Sequence, residues 1–514
     1  MKFGCQRLIK TMTLICLLYA YAVECKKIDV IVPPLWSNIL PVLNVVKELK
    51  KYSHSATFVL STAMDKKIRM EGISVQSVIA KSFDNISMDI VTQVVAEKLN
   101  RSKSFPFYQI LERASKHCHN FMTDDELFQL LSSEKFAYAI VANAPGILCY
   151  EILAYKLSLP FVFIGAHYDS LLNRIPFNPA TTPVLWSGFT DKMTFAQRVL
   201  NSLFYIIQLI KPTMPSFENL VSKYVPEKPL ISNSELKNSF ILQIIDGDFL
   251  IDYPLLTSPN VIMCGGLGTR SAKPLTSWLE TFVKKSIEGI VIVSFGSIIK
   301  SCPEQMLNTF LLAFQKTKRL SFIFQYGDDK KEIGNTLLLP WLPQNDLLGH
   351  VKTKLFITHC GKSSVFEALY HGIPMIGFPI VHDQGANAAI IEDKGYGISM
   401  DILNFSADEL VKTIENVASN KTFKNNINAA SEIFHSRPQT PSQRAAYWID
   451  LVIRYGKQHF RPSSIDMPWY SYYMIDIYLF ITVGLVLGFY CFKLFLNLCS
   501  LICHRKKNVK GKQD

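Results

Sequence analysis

The densest chemistry in this sequence lies between Trp341 and Gln384. An apolar run ending at Thr358 leads through His359, Cys360 and Gly361 into a segment expected to be helical from near Ser363. Such a junction aims free backbone N–H groups and the positive end of a helix at an anion, and Gly361 lets the backbone come close to it. A phosphate group is the natural tenant. On its own a strand–glycine–helix junction is usually only a turn, so the neighbouring residues decide its meaning. Trp341 offers a flat face for a base. Glu367 stands one helical turn after Ser363, where it can accept from ribose hydroxyls, and Asp383 with Gln384 can bind sugar hydroxyls. Together these are the parts that a nucleotide-linked sugar demands.

Holding such groups requires a scaffold, and the apolar pattern supplies one. Ile28 to Val32 reads as a strand, followed by Pro33 and Pro34 and by a helix with Val42, Leu43, Val45, Val46 and Leu49 on one face. Ala56 to Leu60 is the next strand. The pattern recurs at Tyr138 to Ala142, a helix around Glu151 to Leu157, and Pro160 to Ile164. A second series follows the charged stretch Lys284 to Glu288, which reads as a linker, with strands at Ile290 to Val293, Ser321 to Gln325, Leu355 to Thr358 and Pro374 to Phe378. Strand–helix–strand units at this spacing predict an α/β fold: two doubly wound, Rossmann-like domains, residues 26–283 and 289–460, facing a cleft, with ligands beyond the carboxyl ends of the strands. Between Asn173 and Pro229 the regularity lapses. There Val199 to Ile210 is apolar and amphipathic; it fits a cover over an acceptor cavity, a membrane-grazing segment or plain core packing, the last being the simplest expectation.

The ends of the chain point to a membrane. Lys2, Arg7 and Lys10 precede the apolar run Thr11 to Val23, with small residues at Ala20 and Ala22, so residues 1–22 read as a secretory signal. Residues 474–503 are apolar apart from Asp476 and Lys493 and exceed the ~20 residues that a bilayer helix requires. Trp469, Tyr470, Tyr472 and Tyr473 form an aromatic belt before it. Arg505, Lys506, Lys507, Lys510 and Lys512 follow, which makes residues 504–514 a cytosolic basic tail and the body luminal. Sequons at Asn85, Asn100, Asn404 and Asn420 fit a luminal body. The formal charge of +12 comes from scattered Lys and Arg with the tightest cluster in that tail, a pattern that excludes nucleic acid as the partner. Outside signal and anchor, Cys118, Cys149, Cys264, Cys302 and Cys360, with Cys25 if processing spares it, are widely and irregularly spaced, which predicts neither a disulfide framework nor a structural metal.

The stretch from Trp341 to Gln384 resembles the signature of UDP-glycosyltransferases, most closely that of animal UDP-glucuronosyltransferases. The resemblance implies a GT-B arrangement of the two domains, an N-terminal acceptor half and a C-terminal UDP-sugar half. It implies that Trp341 stacks on uracil, Gln344 contacts base and ribose, His359 and Ser364 hold the diphosphate beside Gly361, Glu367 holds the ribose, and Asp383 with Gln384 the transferred sugar. Ser294 to Ser297 is similar to the family's first C-domain loop, where Ser297 would face the phosphates. Gly265, Gly266 and Lys273 to Leu275 look like the interdomain approach, and Ser187 to Asn201 like an N-domain motif. Lys362 and His382 depart from the pattern at variable positions. The implied chemistry is inverting transfer, without metal or cofactor, from UDP-glucuronate or UDP-glucose to a small lipophilic hydroxyl acceptor. The tail, ending Lys510-Gly511-Lys512-Gln513-Asp514, is similar to dilysine signals, which implies a single-pass type I protein of the endoplasmic reticulum membrane. Anchored relatives imply association with itself or with relatives.

The resemblance breaks at the family's proton-accepting dyad. Its histidine falls on Asn38 and its aspartate on Asn143. An amide has no useful basicity. Either another base serves, His167, Asp169 or His382 being the candidates, or the chain binds UDP-sugar without turning it over and acts as a binding or regulatory partner.

Overall fold

The computed structural model describes residues 27–31, 36–84, 95–100, 107–142, 149–166, 177–184, 187–210, 218–231, 235–236, 239–253, 255–296 and 302–510. The expected signal, Asn85, Asn143, His167, Asp169, Ser297 and the last four residues of the tail lie outside them. The described residues up to 461 form one compact unit and those from 462 onward a second.

The first unit is built on two sheets of seven strands each. In the first, β1 (Lys27–Ile31), β2 (Ser55–Leu60), β3 (Gln76–Ile79), β4 (Tyr138–Ala142), β5 (Phe161–Gly165), β6 (Leu242–Ile245) and β7 (Val261–Met263) run parallel in the order β3-β2-β1-β4-β5-β6-β7. In the second, β8 (Gly289–Ser294), β9 (Leu320–Gln325), β10 (Lys331–Ile333), β11 (Thr336–Leu339), β12 (Thr353–Thr358), β13 (Met375–Gly377) and β14 (Gly397–Ser399) take the order β10-β11-β9-β8-β12-β13-β14. Only its β10–β11 edge pair is antiparallel among the described strands. Helices cover both faces, so the central strands read as unbroken apolar runs; all six residues of β8 are buried. In each sheet the chain winds outward on one side and then crosses to the other. The crossings fall between β1 and β4 and between β8 and β12, and each leaves a crevice at the carboxyl ends of those strands.

The order of elements in the chain is not the order of packing. The helix Pro441–Tyr455 follows the second sheet, opens on a capping box between Thr440 and Gln443, and carries proline in its first turn. Its Ala445, Ala446, Ile449, Val452 and Ile453 fill the core of the first sheet beside Val42, Val45 and Val46 of the helix Trp36–Leu49. Asp450 on that helix lies 2.9 Å from His54 Nε2, with both side chains at most 3% exposed. The residues expected to close the second domain thus complete the core of the first.

Two expectations are corrected here. Cys118, on the helix Phe107–Met122, and Cys149, at the start of the helix Cys149–Lys156, form a disulfide. The 31 residues between them concealed the pair, which exists because both helices cover the same face of the first sheet, in one core with Phe83, Phe121 and Tyr150. The stretch Val199 to Ile210 does form a helix, Phe195–Ile210, but it does not pack in the core: Phe195, Val199, Leu203 and Ile207 are exposed. Its anchor is polar. Fully buried Asn201 accepts from the N–H of Val184 and donates to the carbonyls of Pro179 and Thr182, so the amide faces inward and the apolar stripe outward.

In the second unit, the helix Ile475–Lys510 contains the apolar segment Ile475–Leu501, 27 residues with none of its apolar window buried. That is long and apolar enough to cross a membrane.

Candidate donor site

The crevice between β8 and β12 is where the sequence motif folds. β12 ends at Thr358, and Cys360 then turns through the left-handed region with φ 64° while its thiol is buried under Gly377. The turn lays the His359 ring against two glycines. A Cβ at Gly296, itself at φ +83°, would stand 2.9 Å from the imidazole, and one at Gly361 would collide with Nε2. Both positions therefore require glycine. The surrounding protein disfavours the imidazolium and lowers the His359 pKa to about 4, against the pull of Asp383, so the ring is neutral at physiological pH. Its Nδ1 is buried and makes no hydrogen bond among the described residues.

The helix Lys362–Tyr370 begins one residue earlier than expected. Its N-cap, Gly361, has no side chain to satisfy the first-turn N–H groups. Those donors, the positive helix end and a neutral imidazole converge on one place, which suits an anionic diphosphate. One turn along, Gln344 Nε2 donates to Glu367 at 2.6 Å and to Ser364 Oγ at 3.1 Å, joining the short helix Gln344–Leu348 to the phosphate-facing helix. Burial raises the Glu367 pKa to about 7, with Gln344 and then Arg270 opposing. Arg270, on the approach from the first sheet, is held in a two-point pair with Asp346 at 2.5 and 3.0 Å, and the N–H of Lys273 donates to the same carboxylate at 2.8 Å.

Trp341 is 41% exposed, and the ammonium of Lys67, from the helix Thr62–Met70 of the first sheet, sits 3.6 Å from its ring centroid. At the far end Asp383 caps the helix Gln384–Asp393 by position only. Asn387 bridges the Asp383 carboxylate and the Cys360 carbonyl at 2.8 and 2.9 Å. Gln384 is buried, and its amide oxygen accepts from the N–H groups of Ile380 and Val381. The structure therefore brings Trp341, Gln344, His359, Gly361, Ser364, Glu367, Asp383 and Gln384 to one side of the second sheet. His382 stands exposed at φ 57° beside Asp383, with its pKa lowered by the protein around it.

Asn38 lies in the first turn of the helix Trp36–Leu49, the first described helix after β1, and Asn143 lies outside the described residues. β1 and β4 pair in register, Ile31 opposite Val141, so Asn38 lies beside the crevice of the first sheet. Asn100, Asn404 and Asn420 are exposed, and Asn420 also caps the helix Lys421–His435 through its side-chain oxygen. Charged residues that the motif did not suggest join the two sheets. Lys362 pairs with Asp252 at 2.8 Å, and Arg437 pairs with Asp248 at 2.5 and 2.8 Å. Lys362 stood out only as a departure from a pattern; its partner lies 110 positions away, beyond any local signal.

Two parallel, doubly wound sheets with open crevices define the GT-B class of glycosyltransferases. Solved structures share it: the glycotransferase of kitacinnamycin superposes over 83% of this chain and 99% of its own with a TM-score of 0.59 at 16% identity, and the spinosyn forosaminyltransferase SpnP over 84% and 100% with 0.58 at 14%. Residues 30–510 match the family described as UDP-glucoronosyl and UDP-glucosyl transferase, and the chain belongs to it. Among curated relatives, UDP-glucuronosyltransferase 2B10 of Homo sapiens is 31% identical, covering 93% of this chain and 94% of its own. UDP-glucuronosyltransferase 1-2 of Mus musculus is 30% identical over 94% and 92%. UDP-sugar glycosyl transfer is thus the family's chemistry.

Proposed function

We propose that this chain transfers glucuronate or glucose from its UDP conjugate to the hydroxyl of a small lipophilic acceptor, with inversion at the anomeric carbon. The observation that carries the reading is the uncapped start of the helix Lys362–Tyr370 beside the neutral His359 ring, one turn from the assembled Gln344–Ser364–Glu367 network. In this reading Trp341 takes the base, Gln344 and Glu367 the ribose, His359, Ser364, Ser297 and the N–H groups after Gly361 the diphosphate, and Asp383 with Gln384 the sugar. The acceptor oxygen bonds to the anomeric carbon as the bond to the phosphate oxygen breaks. Fixed N–H donors and the helix end stabilise the charge growing on UDP, so no metal is called for.

The acceptor proton needs a destination. Among the described residues His382 is the candidate: it adjoins Asp383, and its lowered pKa leaves it unprotonated near neutral pH. His167 and Asp169, outside the described residues, are the others. General-base help is worth about 10²- to 10⁴-fold, so an amide at position 38 reduces turnover rather than forbidding it. The placement we propose for the body is luminal, with the apolar helix in the endoplasmic reticulum membrane and the basic tail cytosolic.

The test is UDP release by the full chain in membranes lacking related enzymes, with UDP-glucuronate and UDP-glucose against a panel of phenols and alcohols. Acceptor-dependent release that His359→Ala abolishes is expected. A folded chain that binds UDP and releases none would favour the second reading, a non-catalytic UDP-sugar-binding partner, for which the amide at Asn38 is the specific observation.

A further inference from the structure

Lys362 opens the helix that faces the phosphates, yet its side chain turns away from solvent. Its ammonium lies 2.8 Å from Asp252 Oδ1 and 3.4 Å from the carbonyl of Ala166 at the end of β5, with the two side chains 11% and 14% exposed. Asp252 Oδ2 in turn accepts the N–H of Asp248 at 2.8 Å. The pair therefore spans the cleft, its cation from the donor half and its anion from the loop after β6. Asp383 and Asp246 also act on the ammonium through space. Among the described residues, Arg437 with Asp248, Arg270 with Asp346 and Lys192 with Asp393 also join the two halves.

We propose that the Lys362–Asp252 pair reads the transferred sugar and selects an uncharged hexose over a hexuronate, an inference that rests on the donor-site reading above. An ammonium and a carboxylate held side by side present a donor and an acceptor together. That is the pattern a sugar hydroxyl satisfies, since it donates and accepts at once. A uronate carboxylate only accepts. It competes with Asp252 for Lys362, and its charge adds to those of Asp252, Asp246 and Asp383. Drawing Lys362 away to serve it leaves Asp252 buried without its cation. The sugar selected in this way differs from the one in the names of the relatives, which stand near 30% identity.

The experiment is equilibrium binding of UDP-glucose and UDP-glucuronate to the full chain in detergent micelles, as wild type, Asp252→Asn and Lys362→Met, with cooperative thermal unfolding as the control for folding. The ratio of the two affinities cancels what the shared UDP contributes. Wild type is expected to favour UDP-glucose at least about tenfold. Asp252→Asn, which releases the ammonium, is expected to bring the ratio within about threefold of unity or reverse it, and Lys362→Met to widen it. Equal or tighter wild-type binding of UDP-glucuronate overturns the proposal, as does a ratio that neither variant moves, or loss of cooperative unfolding in both, which makes the pair architectural. Because binding is read without turnover, a chain that binds but does not transfer sinks the transferase reading and leaves this one to its ratio. A chain that binds neither donor sinks both.

Discussion

His359 and Glu367 face the same ligand with opposite demands on protonation. The imidazole, its pKa held near 4 by burial, offers the same neutral N–H donor across the physiological range. Glu367, raised to about 7, changes state within it, and only its carboxylate can accept from two ribose hydroxyls. UDP binding is therefore expected to tighten from pH 6 to pH 8, and Glu367→Gln to bind more weakly with a flat profile, as isothermal titration at several pH values would read. Stability runs the other way. The group is protonated in the folded chain between 4.5, its ordinary value, and about 7, where the unfolded chain has ionised it. Its contribution is whole below that window and lost as pH rises through 7, so the melting temperature of Glu367→Gln should decline less over the same range. The residue types at this site, and their order, were visible along the chain. The side-chain directions were not: nothing local tells that the Gln384 oxygen turns back onto Ile380 and Val381, or that Lys362 reaches Asp252 in the other half.

The helix Phe195–Ile210 inverts the usual arrangement, with an amide as its buried anchor and leucine and isoleucine outside. Asn201→Ala strands the N–H of Val184 and two carbonyls and is expected to cost about 2–3 kcal/mol in denaturant unfolding. Leu203→Glu with Ile207→Glu, at exposed positions, should stay within about 1 kcal/mol of wild type. Periodicity showed that this stretch is helical and amphipathic, but period carries no sign. Which face turns inward depends on Pro179, Thr182 and Val184, whose carbonyls and N–H form a polar socket no apolar pattern announces. The strands were plainer, because a strand covered on both faces is an uninterrupted apolar run; β4 falls on the expected residues, and the phosphate-facing helix starts within one residue of expectation. The Cys118–Cys149 bridge is the counterpart of the inverted helix, a contact between two well-marked elements that neither announces. Cys118→Ser is expected to lower stability by about 3 kcal/mol, and a reductant to match that loss in wild type but not in the variant.

At the scale of the molecule, the two sheets and the crevices between β1 and β4 and between β8 and β12 follow from alternation of strand and helix, and were legible as such. The return of the helix Pro441–Tyr455 to the first sheet was not, since its capping box and apolar stripe would suit either core. Its buried pair makes the return measurable. Asp450→Ala removes the partner of His54 and is expected to cost about 3–5 kcal/mol, with one cooperative transition shifting as a whole; separate melting of the two halves would contradict the interlocked core.

That interlock also bears on how acceptor halves can be exchanged between relatives. A chimaera joined at the linker near residues 284–288 inherits the first sheet from one parent and the helix that finishes its core from the other. New acceptor ranges obtained by shuffling should therefore survive only when residues 441–455 travel with residues 27–283, so the heritable module is discontinuous in the gene although it is continuous in space.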